Sequence, residues 1–174
     1  LAPTQNFTDR SFRFPAELAA EVEKIPGVRR IQAVRIVRLP MDGEPVMFVS
    51  LDISSVSQEA RLPIVSGDGP TMYRQAAAGK GVIISDNFAL MHNRKLGDIL
   101  TIPTPSGMLE MPVLGVVVDF SDQKGSILLD RSVFEKYWKD TSANVIRIYL
   151  QPGVTVGQMR ERIATQTGTR FRYF

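Results

Sequence analysis

The chain has 174 residues, 44% of them hydrophobic and 22% charged, which is enough for one ordinary globular domain or two small lobes. Its 13 Gly and 11 Pro are near average usage, which excludes collagen-like or low-complexity sequence, and the absence of Cys excludes disulfides, thiolate metal sites and cysteine nucleophiles. Basic and acidic residues number 21 and 18, an excess of three, and the longest uncharged stretch is the 12 residues Ile148 to Met159, short of the roughly 20 that a spanning helix needs.

Leu1 is followed by no charged n-region and apolar h-region, so the chain reads as a processed protein or a piece of a longer one, the second being favoured. From Phe14 to Lys24, Leu18, Ala19, Val22 and Ile25 make an apolar stripe, with Pro15 at the first turn and Pro26-Gly27 as the stop; this predicts a helix. Val28 to Leu39 and Glu44 to Ile53 are β-rich runs, and the Asp42-Gly43 pair between them predicts an antiparallel hairpin. Between Ser54 and Lys80 the patterning weakens, Thr71 to Ala78 being its one helical candidate, and Pro63, Gly67, Gly69, Pro70 and Gly79 mark a boundary between lobes.

Gly81 to Ile84 predicts a short strand, and Ser85 caps a short helix over residues 86–92. Leu96-Gly97-Asp98 turns into a strand over Ile99 to Ile102; a loop, Pro103 to Gly107, leads to a long strand, Met108 to Phe120. That strand is apolar on both parities and is expected to be covered on both sides over part of its length. After a turn at Ser121 to Gly125 come a strand, Ser126 to Leu129, and a helix capped by Asp130 that carries Val133, Phe134, Tyr137 and Trp138. The middle lobe is therefore expected to be small and mostly strands. Ala143 to Leu150 is again β-like, Thr155 caps a helix with Val156, Met159 and Ile163 on one stripe, and Thr169 to Phe174 is a last strand candidate.

Candidate chemistry is sparse. Ser85, His92 and Asp98 can be written as a triad, but Ser85 lacks the G-x-S-x-G elbow, and His92 reads more simply as a helix-terminal residue favoured by the macrodipole. With one His and no Cys, no zinc-ligand spacing exists. Gly67-Asp68-Gly69 and Gly79-Lys80-Gly81 lack the context of phosphate-binding loops and read as turns. The carboxylate pairs Asp119 with Asp122 and Glu17 with Glu21 sit in loop and helix-surface contexts that imply ordinary solvation. Asn6-Phe7-Thr8 matches the permissive glycosylation pattern. Arg29, Arg30, Arg35 and Arg38 are the densest basic group; on an extended strand odd and even positions face opposite ways, so they divide between two faces and no nucleic-acid partner is expected. The aromatic groups Phe12 with Phe14, Phe134 with Tyr137 and Trp138, and Phe171 with Tyr173 and Phe174 read as packing residues. No catalytic residue, cofactor or metal is assigned.

The run Gly81-Val82-Ile83-Ile84-Ser85-Asp86-Asn87-Phe88-Ala89, then Lys95 to Ile102 around Leu96-Gly97-Asp98, then Met111 to Asp119 around Val113-Leu114-Gly115-Val116, resembles the periplasmic core domain of MacB/FtsX-like ABC transporter permeases. The similarity continues through Ser126-Ile127-Leu128-Leu129-Asp130 and Asn144 to Leu150 with Pro152-Gly153, and covers the chain from about Phe14 onward. It implies a two-lobed α+β fold: a porter-like α/β lobe from residues 1–64 and 143–174, and an inserted β-rich lobe, called Sabre in that family, over 65–142. The opening, Leu1 to Arg13, hardly shows the first strand that such a lobe should have.

The resemblance further implies an extracytoplasmic, non-enzymatic domain on the periplasmic face of a bacterial inner membrane. Its partners would be transmembrane helices of the same polypeptide, a separate cytoplasmic ATPase acting indirectly, and a periplasmic protein, lipoprotein, lipid or small-molecule substrate. Both termini would then lie at one end. Two alternatives stand beside this: a free periplasmic ligand-binding or adaptor module, and a small hydrolase using Ser85 or paired carboxylates. For the leading reading, the loops Pro103 to Gly107 and Ser121 to Gly125 are the places to look for partner contact, because loops held by small sheets vary easily.

Overall fold

The computed structural model describes residues 13–59 and 62–167. Among them the elements run α1 (Ala16–Glu23), β1 (Val28–Met41), β2 (Glu44–Leu51), α2 (Ile53–Glu59), β3 (Ile64–Ser66), α3 (Gly69–Ala77), β4 (Val82–Ser85), α4 (Asp86–Met91), β5 (Ile99–Thr104), β6 (Gly107–Val117), β7 (Ser126–Asp130), α5 (Arg131–Trp138), β8 (Val145–Leu150) and α6 (Val156–Thr167). They form two compact units: residues up to Arg35 with those from Thr141 onward, and Ile36–Asp140.

In the unit built from both ends of the chain, α1 starts at Pro15 (φ −66°), whose fixed backbone angle suits a helix entry, and buries Leu18, Ala19 and Val22. The first part of β1 pairs antiparallel with β8, Ile31 opposite Ile148 and Ala33 opposite Ile146. These four residues line the sheet face that packs with Phe14, Leu18, Val22, Ile25, Met159 and Ile163, so α1 and α6 cover one side of the pair. Thr155 opens α6 with a reciprocal cap. Its Oγ1 accepts from Gln158 N at 3.2 Å while Gln158 Oε1 accepts from Thr155 N at 3.0 Å. The buried row on α6 is Met159, Ile163 and Thr167, at intervals of four. Val156, expected on that stripe, stands in the first turn at 62% exposure, and Thr167 takes the buried place instead.

The second unit is α+β with a mixed sheet. Its strands run in the order β3-β6-β4-β7-β2, with the far end of β1 beside β2 and β5 paired to β6. β2 with β7 and β4 with β6 are parallel; β4 with β7 and β3 with β6 are antiparallel. Phe48, Ile84, Phe88, Ile127, Leu129 and Phe134 are all fully buried in its core. Asp42 (φ 51°) and Gly43 (φ 85°) both take positive φ, the geometry of the tight turn expected between β1 and β2. β6 meets the expectation of two covered faces only at Gly115, Val116 and Val117; earlier it alternates between buried and more exposed positions.

The division differs from the expected one at its first boundary. At 14 residues β1 spans about 46 Å, too long for one small unit, and it passes from one unit to the other at Arg35–Ile36 without a Pro or Gly to mark the crossing. The β1–β2 turn, β2, α2 and Ile64 therefore group with the middle segment. That segment is also less strand-dominated than expected, since it holds α2, α3, α4 and α5. α2 lies where patterning was weak: Asp52 Oδ1 accepts from Ser54 N at 3.0 Å, Ser55 Oγ donates to Asp52 O at 2.6 Å, and Ile53 and Val56 are buried. The terminal strand candidate Thr169 to Phe174, the glycosylation pattern at Asn6 and the opening as far as Phe12 lie outside the described residues.

Candidate functional site

The three residues that could be written as a triad have separate local duties. Ser85 is fully buried where β4 turns into α4, and its Oγ accepts from Phe88 N at 3.3 Å and Ser126 N at 2.8 Å. Two amides thus occupy the hydroxyl, one capping α4 and one tying β7. Asp98 Oδ2 accepts from Lys95 N at 2.9 Å, closing the turn before β5. His92 caps the other end of α4; its ring stacks on Phe88 at 4.4 Å and its Nδ1 lies 3.3 Å from Asp42 Oδ2. Its carboxylate neighbour is therefore Asp42, not Asp98.

The carboxylate pairs likewise serve loops and surfaces. Asp119 accepts from the amide and hydroxyl of Ser121 and from the Ser126 hydroxyl, while Asp122 pairs with Arg38. Glu17 and Glu21 are exposed on α1. Asp68 caps α3 by accepting from Thr71 N at 3.0 Å, and the Thr71 hydrogen bonds hold its carboxyl below the ordinary carboxylate range. A Cβ on Gly81 would stand 2.4 Å from Pro112 O, so this glycine serves close strand packing.

The four arginines do not divide as simple alternation predicts. A β-bulge between Val28 and Arg30 disturbs the register, and both Arg29 and Arg30 come over the Tyr149 ring, at 5.9 and 4.8 Å from its centroid. Arg35 is buried and donates to Asn144 Oδ1 at 2.7 Å, and Arg38 is bound to Asp122.

Both loops singled out from the sequence are braced. β5 continues to Thr104, shortening the first to residues 105–106, and Ser106 Oγ donates to Tyr137 O at 2.7 Å. In the second, Asn87 Nδ2 of α4 donates to Asp122 O at 2.7 Å. Large apolar side chains stand exposed around these braces: Phe120 at 90%, Leu90 at 82% and Met108 at 68%, with Met91 and Ile99 more than half exposed. On the outer face of the β5–β6 pair, Ile99 lies opposite Pro112 and Met108 opposite Pro103. Exposed apolar residues of this size are candidate contact positions, with Met108 at the start of β6 and Phe120 beyond its end. Sequence patterning did not single out Leu90, Met91 or Met108. Phe120, expected as the last residue of the long strand, lies beyond the end of β6 at Val117.

No family model matches the chain. It is 30% identical over 166 residues, 92% of its own length, to an uncharacterised ABC transporter permease protein of Mycobacterium tuberculosis, and it spans 19% of that relative's length. Its fold is similar to the periplasmic region of MacB from Actinobacillus actinomycetemcomitans, with a TM-score of 0.65, 13% identity, and coverage of 94% of this chain and 79% of that one. It is also similar to the extracellular domain of the ABC-type transporter YknZ from Gram-positive bacteria, with a TM-score of 0.63, 13% identity, and coverage of 92% and 84%. The fold is thus shared with the periplasmic region of MacB and the extracellular domain of YknZ. The resemblance read from the sequence is matched by an ABC transporter permease among the relatives and by MacB and YknZ in fold.

Proposed function

We propose that this chain is a non-catalytic extracytoplasmic domain of an ABC transporter permease, which contacts a partner or substrate and relays conformational change driven by a cytoplasmic ATPase. The observation that carries the reading is the similarity to a permease along 92% of the chain, joined to a fold found in the periplasmic and extracellular domains of two transporters. In this reading the unit built from both chain ends is the porter-like lobe, and Ile36–Asp140 is the Sabre-like insert. Transmembrane helices of the same polypeptide would flank the domain on the periplasmic side of the membrane. A periplasmic protein, lipoprotein, lipid or small molecule would be the partner handled.

The engagement of Ser85 and His92 by structural partners supports the non-catalytic part. The exposed apolar residues near the two loops, foremost Phe120 and Leu90, supply candidate contact positions. Two measurements on the full-length permease test the reading. A topology reporter inserted after Ser106 is expected to report the outside of the cytoplasmic membrane; a cytoplasmic signal overturns the placement. This chain has no Cys of its own, so single cysteines at Ser106 and Gln123, in a parent whose cysteines elsewhere have been replaced, report these two positions. Their labelling is expected to change when ATP is supplied, and identical labelling with and without ATP removes the relay.

A further inference from the structure

A single carboxylate oxygen holds the β1–β2 turn against the C-terminal end of α4. Asp42 Oδ2 lies 3.3 Å from His92 Nδ1 and 3.2 Å from Arg94 NH2. The imidazole is not a surface group: its side chain is 5% exposed, it stacks on Phe88 with 26° between the rings, and Nε2 is buried without a hydrogen-bond partner among the described residues. Arg94 Nε is buried without one as well.

The protonation pattern follows from these contacts. Arg94 beside Asp42 holds its carboxyl below the ordinary range, so the group is ionised and only accepts. The neutral imidazole must then carry its proton on Nδ1, leaving Nε2 a bare buried lone pair. A second proton could go only to Nε2, where it meets no acceptor among the described residues.

The charges that face His92 are already balanced. From the hairpin come Asp42 and Glu44, from the segment after α4 comes Arg94, and from the 121–125 loop comes Lys124, bonded to Glu44. Asp42 with Arg94 and Glu44 with Lys124 make two neutral pairs, and Phe88 on the ring's face carries no charge. A proton on His92 therefore enters as an uncompensated third cation. Asp42 cannot hold it firmly, since its side chain is 53% exposed and the same oxygen is shared with Arg94.

We propose that His92 is a proton-sensitive latch: the neutral ring fastens the β1–β2 turn to α4, and protonation at Nε2 drives the ring out to water and frees the turn. Imidazoles titrate between about pH 5 and 8. The latch acts on the turn that joins β1 to β2, within the Ile36–Asp140 unit. Its chemistry does not depend on the permease reading.

His92 is the only histidine, so imidazole nitrogen resonances of the labelled chain report it alone. Followed from pH 8 to 5, the ring is expected to begin neutral with its proton on Nδ1 and then to titrate. As it does, amide exchange of Asp42, Gly43 and Glu44, corrected for the intrinsic pH dependence of exchange, is expected to rise about tenfold. His92→Phe keeps the stack on Phe88 and is expected to abolish the rise; His92→Gln, which cannot take up a proton, serves the same purpose should the first variant fold poorly. A neutral ring protonated on Nε2, a ring that stays neutral down to pH 5, or turn exchange indifferent to the titration each overturns the latch.

Discussion

Arg35 and Asn144, 109 positions apart in sequence, meet through a 2.7 Å hydrogen bond from Arg35 NH1 to Asn144 Oδ1, with 4% and 3% of their surfaces exposed. Asn144 N also donates to Val34 O at 2.8 Å, so the residue before β8 is fixed to β1 by side chain and backbone together. A buried guanidinium deprived of an acceptor is costly, and replacing both partners by apolar groups is much less so. Asn144→Ala is expected to lower stability by about 1–3 kcal/mol, read as a shift in the urea midpoint. Arg35→Met with Asn144→Leu should lie closer to the parent than Asn144→Ala does. A double variant no better than the single one would mean that the pair is not coupled.

Ser85→Ala tests the structural duty of that hydroxyl. Ser126 N loses this buried acceptor, while Phe88 N still has Asn87 Oδ1 at 3.1 Å, so a loss of about 1–2 kcal/mol is expected, with the fold retained. Ser85→Thr keeps the oxygen but adds a methyl to a packed site and should fall between the two. Hydrolase screening of both variants against the parent is expected to give identical backgrounds. A hydrolytic activity lost in Ser85→Ala would revive the nucleophile reading.

What the sequence made legible was local. The Asp42-Gly43 turn, the caps at Ser85, Asp130 and Thr155, and the apolar stripe of α1 are short-range signals, and each stands where the patterning placed it. β3 escaped notice because its three residues are held by pairing with Val116 and Val117, some fifty positions away, rather than by their own propensity. The unit boundary escaped because β1 crosses it in mid-strand, where hydrophobic alternation does not change. His92 was visible as a helix end, but Asp42, its partner 50 residues earlier, carries no sequence signal for that meeting. The bulge after Val28 similarly defeats a strict odd-even reading of Arg29 and Arg30.

Two glycines in positive φ separate backbone strain from steric exclusion. Gly43 (φ 85°) has open space where a Cβ would stand, whereas at Gly125 (φ 86°) a Cβ would lie 2.6 Å from Phe88 N and Cα. Gly43→Ala is expected to cost about 1 kcal/mol from backbone strain alone. Gly125→Ala adds an overlap with the backbone of α4 that no rotamer change relieves, and should cost about 2–4 kcal/mol. Thermal unfolding of the two variants side by side gives the contrast; equal losses would mean that the loop around Gly125 yields freely.

The contact surface makes a different kind of demand. Phe120 and Leu90 are almost fully exposed, so Phe120→Ser and Leu90→Ser should each change stability by less than about 0.5 kcal/mol. In the full-length permease the same changes are expected to reduce crosslinking of a partner at Gln123. Undiminished crosslinking would move the contact elsewhere on the domain.

The acid limb of stability has a stated sign. The Arg94 hydrogen bond, and after it that of His92, holds the Asp42 carboxyl below its ordinary value; Lys124 does the same for Glu44, and the Thr71 bonds do so for Asp68. Each group binds a proton more readily in the unfolded chain, so its contribution is complete above about pH 4, near the unfolded values, and is lost as pH falls through the depressed folded values. Asp42 is largely solvated, and its share should stay under about 1 kcal/mol. Asp42→Asn has no carboxyl to titrate, so its urea midpoint should fall less than the parent's between about pH 4.5 and pH 3. If the two midpoints descend in parallel, Asp42 does not contribute to the acid limb and its bond to Arg94 is too weak in solution to matter.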